Sequence, residues 1–295
     1  MTFEKFINAV AQKVEERVER YKTVYVHPVH KNNGITYQGL VIYDPLNNIH
    51  PTIFLDPYYD KYRNGVSMED TVKGILDTYY KNRPAKEFDI SAFRDFEKVK
   101  DRIVMKLVNT ELNKELLEDV PHKQMGDFSI IYNVIVQNFV EGYATILVYD
   151  AHLDLWGITQ EELHEIAMEN TPKLLPYRFE CLEYTFEEIF QRLGLGETEI
   201  KMHLLSNRQK INGAVAMFYP NILKKIYDFL EDNLVIIPSS IHEVFIIPEQ
   251  VFRNESSVEE LNDTIEMVNE TNLDDEEILS NHAYLFDGTE LAVLK

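Results

Sequence analysis

Apolar residues recur at helical spacing in several segments of the chain, with polar residues between them. Near the N-terminus they repeat at steps of three and four, which marks one face of an amphipathic helix with Thr2 at its N-cap. That face consists of Phe3, Phe6, Ile7, Val10, Val14 and Val18. Capping boxes, in which Ser or Thr precedes an acid by three residues, begin further helices at Ser67, Thr159 and Thr185. A last long helix is predicted over Ser257–Asn269.

In the first half of the chain, β-branched runs predict an antiparallel meander. Thr23–Val29 and Ile35–Tyr43 flank Asn33-Gly34, a dipeptide typical of type I′ hairpin turns. The chain then turns into a further strand, Thr52–Leu55. The tyrosine-rich stretch that follows, Asp56–Tyr62, is interpreted as a loop.

In the second half, the pattern predicts further hairpins. One joins Phe128–Val136 to Tyr143–Tyr149. Another is predicted to join Met202–Leu205 to Ala214–Phe218 across Asn212-Gly213, because this dipeptide also favours a tight hairpin turn.

The stretch Leu234–Pro248 contains two apolar runs with a polar hexapeptide, Pro238–Glu243, between them. Short β-branched runs that end at proline favour buried strands over helix. Because Pro238 has no N–H to donate, strand pairing is expected to stop near it. The turn then gathers the side chains of Ser239, Ser240, His242 and Glu243 beside a core sheet.

Together these elements predict an α+β fold, in which mostly antiparallel sheets are covered by packed amphipathic helices. The length of 295 residues is compatible with one large unit or two associated units. We place the boundary in Leu117–Pro121, which gives an N-terminal α+β unit over residues 1–120 and a C-terminal α+β unit over residues 121–295. The C-terminal unit contains the Pro238–Glu243 turn and an acidic C-terminal segment.

The excess of acidic residues excludes some classes of binding partner. Asp and Glu number 50 against 29 Lys and Arg, for a net charge of −21, and residues 254–294 contain twelve acids and no Lys or Arg. Such a surface repels phosphates and anionic lipids, so we expect no nucleic-acid partner and no membrane partner. No apolar run approaches the ~20 residues of a membrane span, and the single cysteine fits a reducing compartment. We therefore expect a cytoplasmic protein.

Several segments of the second half resemble a known family. They include Lys210–Pro220 (KINGAVAMFYP), Ile236–Pro248 (IIPSSIHEVFIIP) and parts of Val268–Tyr284. These segments resemble domain of unknown function 5688, an uncharacterised bacterial family found mostly in Gram-positive gut bacteria. The resemblance covers most of the chain and implies membership only, since no activity is established for the family.

Ser239, Ser240, His242 and Glu243 provide the residue types of a hydrolytic triad. A triad requires its members to meet in space, however, and neighbours in a strand point to opposite faces. The alternative interpretation is that Ser and His at a tight turn satisfy backbone groups. These four residues are the candidate catalytic residues. The sequence has no phosphate-binding glycine loop, and the cofactor stays unknown.

Asp150, His152 and Asp154 alternate at the end of a predicted strand. In an extended segment alternate residues share a face, so all three could converge on zinc, manganese or iron. The alternative is that they face solvent, with Asp154 capping the next turn. In another predicted strand, Arg178–Tyr184, Cys181 lies between apolar residues and is interpreted as a buried, inert thiol.

No catalytic signature stands out above the structural interpretations of these residues. We therefore expect a non-enzymatic cytoplasmic protein that binds another protein. The alternative is a hydrolase or metal-assisted enzyme that uses the Ser239–Glu243 turn, with Asp150, His152 and Asp154 as a metal site.

Overall fold

The computed structural model of the chain divides into two compact units, residues 1–91 and 92–295. It describes residues 1–48, 50–82, 90–139, 142–182, 202–255 and 257–295. Both units combine antiparallel sheet with helices, so the predicted α+β fold is confirmed. The segment 117–121, where we placed a boundary, lies inside the second unit, and the division at 120/121 stays a prediction.

In the first unit, amphipathic helices pack against an antiparallel sheet. Its elements are α1 (Phe3–Glu15), β1 (Thr23–His30), β2 (Thr36–Tyr43), β3 (Thr52–Phe54), α2 (Asp56–Arg63) and α3 (Met68–Asn82). The strands pair in the order β1-β2-β3, as the meander pattern predicted. At the β1–β2 hairpin, Asn33 and Gly34 have φ angles of 59° and 69°, the positive values that a type I′ turn requires.

The core of the first unit brings the apolar face of α1 together with β2 and α3. Phe6, Val10 and Val14 are fully buried there, as their spacing predicted. The interpretation of Asp56–Tyr62 as a loop was wrong, because this stretch lies in α2. Pro57 occupies the first turn of that helix, where the missing N–H breaks no intrahelical hydrogen bond.

Within the described residues, the second unit contains two antiparallel sheets. The smaller one consists of β4 (Ile103–Asn109), β5 (Lys123–Met125), β6 (Phe128–Phe139) and β7 (Gly142–Leu147). β6 is its central strand, which pairs with β4 along one edge and with β5 and β7 along the other. The predicted hairpin of β6 and β7 is therefore confirmed.

The larger sheet consists of β8 (Tyr177–Cys181), β9 (His203–Asn207), β10 (Leu234–Ser240), β11 (Glu243–Pro248), β12 (Tyr284–Phe286) and β13 (Leu291–Val293). Its order is β13-β12-β10-β11-β9-β8, so the β10–β11 hairpin is central, and Leu234–Pro238 is buried as predicted. Pairing stops near Pro238, as expected, although not at the proline itself. Pro238 faces Val244, the register then shifts, and Ser240 pairs with Glu243. Such an irregularity accommodates a proline inside a sheet.

Helices cover both sheets of the second unit. They are α4 (Phe96–Val99), α5 (Lys114–Leu117), α6 (Asp150–Trp156), α7 (Gln160–Leu174), α8 (Ile222–Leu230), α9 (Glu249–Glu255) and α10 (Val258–Asn272). α7 begins at the predicted capping box of Thr159, and the Ser257 side chain caps α10. The helix predicted at Thr185 lies outside the described residues. None of the described helices is both long and apolar enough to span a membrane.

The segment Gly213–Phe218 does not form a strand paired with β9, as the Asn212-Gly213 signal had suggested. It is a 3₁₀-helix, and β9 pairs with β8 and β11. Asn212 does adopt the positive φ of a turn residue, 51°. The residues after it are buried consecutively in the core, whereas a half-buried strand would alternate.

Candidate functional site

The turn between β10 and β11 is held by its serine and histidine. Ser240 Oγ accepts a hydrogen bond from the His242 backbone N–H at 3.0 Å. From β9, Ser206 Oγ donates to the His242 carbonyl oxygen at 2.7 Å. Both serines are buried, so their hydroxyls satisfy backbone groups of the turn inside the protein.

The imidazole ring of His242 is held through both of its nitrogens. Nδ1 accepts from the Asn212 backbone N–H at 3.0 Å, and Nε2 lies 3.2 Å from Glu277 Oε1. Because Nδ1 accepts, the neutral ring carries its proton on Nε2, which donates to the carboxylate. Among the described residues no serine hydroxyl hydrogen-bonds to this ring, so the contact between a nucleophile and its base is missing here.

Gly213 allows the backbone to approach this turn closely. A Cβ at position 213 would lie 2.6 Å from both the Asn207 backbone nitrogen and the His242 carbonyl oxygen, and nearer still to Ser206 Oγ. Only glycine leaves room for these atoms. The segment KINGAVAMFYP and the turn of IIPSSIHEVFIIP, which carry the family resemblance, therefore pack directly against each other.

The two remaining candidates of the turn, Ser239 and Glu243, are half-buried at the ends of β10 and β11. The described hydrogen bonds of the turn join Ser240 and His242 to backbone groups, and the His242 ring to Glu277. These contacts are those of a structural turn. A catalytic role for the four predicted residues stays a prediction that no described contact supports.

The predicted metal-binding set lies in helix α6, so the interpretation of this segment as a strand end was wrong. Residues two apart on a helix point to different sides, so Asp150, His152 and Asp154 cannot all share a face. His152 Nδ1 accepts from the Tyr149 backbone N–H at 3.0 Å, its ring stacks on Trp156, and burial lowers its pKa. Among the described residues, no group of three His, Cys, Asp or Glu side chains could hold a metal ion.

The prediction of a buried Cys181 was also wrong, because this side chain is exposed. Cys181 is the last residue of β8, which lies at the end of the strand order in the larger sheet, counting the described strands. Its apolar neighbours Phe179 and Leu182 are themselves only half-buried. Apolar flanking residues therefore do not ensure burial at the end of an outer strand.

A second pair of serine and histidine, which we did not single out in the sequence, has a different environment. Ser280 and His282 repeat the spacing of Ser240 and His242, and Ser280 Oγ accepts from the His282 backbone N–H at 3.0 Å. Here a carboxylate from the turn between β5 and β6 completes the cluster. Asp127 Oδ2 accepts from Ser280 Oγ at 2.8 Å and from His282 Nδ1 at 2.7 Å. This is the geometry in which a carboxylate orients an imidazole.

Asp127 and His282 border a cleft of about 640 Å³, a size typical of small-molecule sites. One wall contains Asp127, and α10 contributes Glu266 and Glu270. The His282 side chain is 52% exposed, and its Nε2 has no hydrogen-bond partner among the described residues. The neutral ring therefore presents an acceptor nitrogen at the cleft.

The Asp127 carboxyl is held in its ionised form. Burial raises its pKa, but the hydrogen bonds from His282 and Ser280 outweigh this effect, so the pKa lies below its ordinary value. Burial and the negative charge of Asp127 raise the pKa of the neighbouring Tyr284 hydroxyl. The cluster thus holds a fixed negative charge next to a neutral phenol.

Sequence distance explains why this cluster was missed. Asp127 lies 153 residues before Ser280 and 155 before His282, so no local spacing connects them. The one available signal was the repetition of Ser-x-His at residues 240–242 and 280–282.

An exposed apolar surface lies where α8 meets β8. It surrounds a cavity of about 220 Å³, and we call it the Phe229 surface: Tyr177, Phe179, Ile222, Lys225, Ile226 and Phe229. The Phe229 side chain is 72% exposed, and its ring meets Phe179 edge-on at a centroid distance of 6.3 Å. Because Phe229 follows Ile222 and Ile226 at helical spacing, it extends the apolar stripe of α8 into solvent.

The structure therefore defines an α+β protein. The histidine of its central hairpin turn, His242, is bonded through both ring nitrogens, whereas the second serine–histidine turn, Ser280–His282, borders an open cleft. The chain belongs to DUF5688, a family of unknown function, whose family model matches residues 3–288. This match confirms the family resemblance of the sequence. No curated protein and no solved structure matches the chain significantly.

Proposed function

We propose that the protein binds another protein through the Phe229 surface, in the cytoplasm of a bacterium. The observation that carries this proposal is the 72% exposure of Phe229 beside a preformed cavity. Exposed aromatic side chains next to a pocket are typical anchors of protein interfaces. The Tyr177 ring on β8, also exposed, adds to the apolar area that a partner would cover.

The charges at this surface indicate the chemistry of the partner. Lys225 lines the cavity, and Arg208 lines the adjoining cavity along β8, where Arg178 is already paired with Glu180. Lys225 and Arg208 form no ion pair within the described part of the chain. A partner segment with an apolar side chain flanked by carboxylates complements this arrangement. The net charge of −21 disfavours a nucleic acid in its place.

The test is in-cell photo-cross-linking of the full chain with a photoreactive phenylalanine analogue at position 229. We expect one protein to be captured in every replicate, and Lys225→Glu to abolish its capture. The captured protein is then purified for affinity measurements. Phe229→Ser should weaken binding about thirtyfold or more, because interface anchors typically contribute at least ~2 kcal/mol.

A matched control comes from the first unit. Leu46 is 69% exposed in a turn, so Leu46→Ser removes a comparable exposed apolar side chain that is not one of the residues of the Phe229 surface. This variant should bind within about twofold of the wild type, since surface substitutions outside an interface have small effects. Equal affinities of Phe229→Ser and the wild type would contradict the proposal, as would equal losses in both serine variants.

A further inference from the structure

Among the polar groups that line the cleft beside Asp127, those left free within the protein are mainly hydrogen-bond acceptors. Each of its amide side chains already donates to an acceptor within the protein. These side chains are Asn109, Gln124, Asn269 and Asn281. The groups that remain available to a ligand include the Glu270 carboxylate, the Glu266 carboxylate, which already accepts one hydrogen bond from Asn281, and the Nε2 atom of His282. A ligand rich in N–H donors therefore complements this cleft.

The negative charge of the lining also favours a ligand that carries positively charged N–H donors. Glu266 and Glu270 lie one helical turn apart on α10, at the spacing where like charges repel. Within the described residues neither forms an ion pair, and none of the described lining residues is Lys or Arg. A cation placed between the two carboxylates would relieve their repulsion.

A buried hydroxyl directly behind the wall of this cleft, outside its lining, gives an independent indication of an unfilled polar position. Tyr284 is 3% exposed, and its hydroxyl lies near Asp127 and Ser280 without hydrogen-bond geometry to either. It lies against Gly126 in the cleft wall, where a Cβ would be 3.7 Å from the hydroxyl oxygen. Buried polar groups are ordinarily satisfied, so a ligand or a bound water at this wall would supply what the protein leaves out.

We propose that this cleft binds a small aliphatic polyamine. Its ammonium groups would donate to the carboxylates of Glu266 and Glu270, and a further N–H would donate to His282 Nε2. Its methylene groups would lie along Leu112 and Ile278, which contribute apolar surface to the lining. A flexible chain of amines fits these separate acceptors better than a compact metal ion, because no described group of three ligands could hold one.

The test is isothermal titration calorimetry of the full chain with spermidine at physiological salt. We expect saturable binding of one spermidine per chain. Glu266→Gln combined with Glu270→Gln should weaken the affinity about tenfold or more, since both charge-assisted contacts are lost. Both side chains are exposed, so the double variant is expected to fold normally.

The same helix supplies the control for non-specific attraction to an acidic protein. Glu259 and Asp263 are also exposed and one turn apart on α10, but they do not line the cleft. Glu259→Gln combined with Asp263→Asn removes the same charge and should change the affinity by less than about twofold. Equal weakening by the two double variants would overturn the proposal, as would the lack of saturable binding to the wild type.

The two histidines locate the site by a second measurement. On addition of spermidine, we expect the Cε1–H nuclear magnetic resonance signal of His282 to shift and that of His242 to stay unchanged. His242 has both nitrogens bonded within the protein, so it serves as an internal reference. An unchanged His282 signal at saturating spermidine would place binding elsewhere and overturn the proposal.

Discussion

Two Ser-x-His turns in the same unit differ in what their histidines have left to bind. In both, the serine hydroxyl accepts a hydrogen bond from the histidine backbone N–H at 3.0 Å. His242 then bonds through both ring nitrogens, to Asn212 and Glu277. His282 bonds only through Nδ1, to Asp127, and keeps Nε2 at a cleft.

The difference follows from where each turn lies. The His242 turn joins the two central strands of the larger sheet, and the segment after Asn212 packs directly against it. Both ring nitrogens are therefore bonded within the protein, one to the Asn212 backbone N–H and the other to the Glu277 carboxylate. The His282 turn precedes β12, beside α10 and the end of β5, and these elements leave a cleft between them. The same local motif thus stabilises the fold at the His242 turn and borders an open cleft at the His282 turn.

The largest expected effect tests how tightly the His242 turn is packed. Gly213→Ala should destabilise the protein by about 3 kcal/mol, because the new methyl group would overlap backbone atoms that cannot move independently. Urea denaturation measures the loss. As a control, Gly157→Ala has open space around the new Cβ and should cost only about 1 kcal/mol for its positive φ of 68°. Similar losses in the two variants would mean that the turn can relax.

Next in size is the difference between the histidines themselves. His242→Ala should cost about 2 kcal/mol, because it leaves the half-buried Asn212 N–H and Glu277 carboxylate without their partner. His282→Ala should cost less than about 1 kcal/mol, since Asp127 keeps Ser280 and is accessible to water. Urea denaturation measures both losses in the free energy of unfolding. A larger loss for His282→Ala than for His242→Ala would contradict the proposed difference between the two turns.

A smaller effect is expected at the serines. Ser240→Ala and Ser280→Ala each remove the same bond to a histidine N–H, so each should cost about 1 kcal/mol, as helix caps do. Ser280→Ala should cost slightly more, because its hydroxyl also donates to Asp127. Thermal unfolding of both variants measures the difference. An unchanged melting temperature in both would show that neither turn depends on its serine.

The smallest expected effect is a pH dependence at the open turn. The pKa of Asp127 is depressed in the folded state, so its contribution is present above the ordinary value of 3.8 and is lost as the pH falls through the folded pKa. Asp127→Asn should therefore narrow the gap in stability between neutral and acid pH by less than about 1 kcal/mol. Denaturation curves at several pH values measure the gap, and a wider gap in the variant would contradict the assigned direction.

Short-range physics made many elements predictable. The buried face of α1, the capping box of α7 and the Asn33-Gly34 turn depend on residues a few positions apart. Predictions failed where burial depended on distant segments. Cys181 has apolar neighbours but ends an outer strand, and the 3₁₀-helix Gly213–Phe218 is set by its packing against the His242 turn.

The sequence by itself determined the α+β class, the family, the buried β10–β11 hairpin and the serine–histidine content of its turn. These properties follow from local spacing and composition, which act before the chain is assembled. Only the tertiary structure decided that His242 is closed within the protein, that His282 meets Asp127 across 155 residues, and that Phe229 stays exposed. Each of these depends on which distant atoms come to occupy the space around a side chain, and a linear pattern does not encode that.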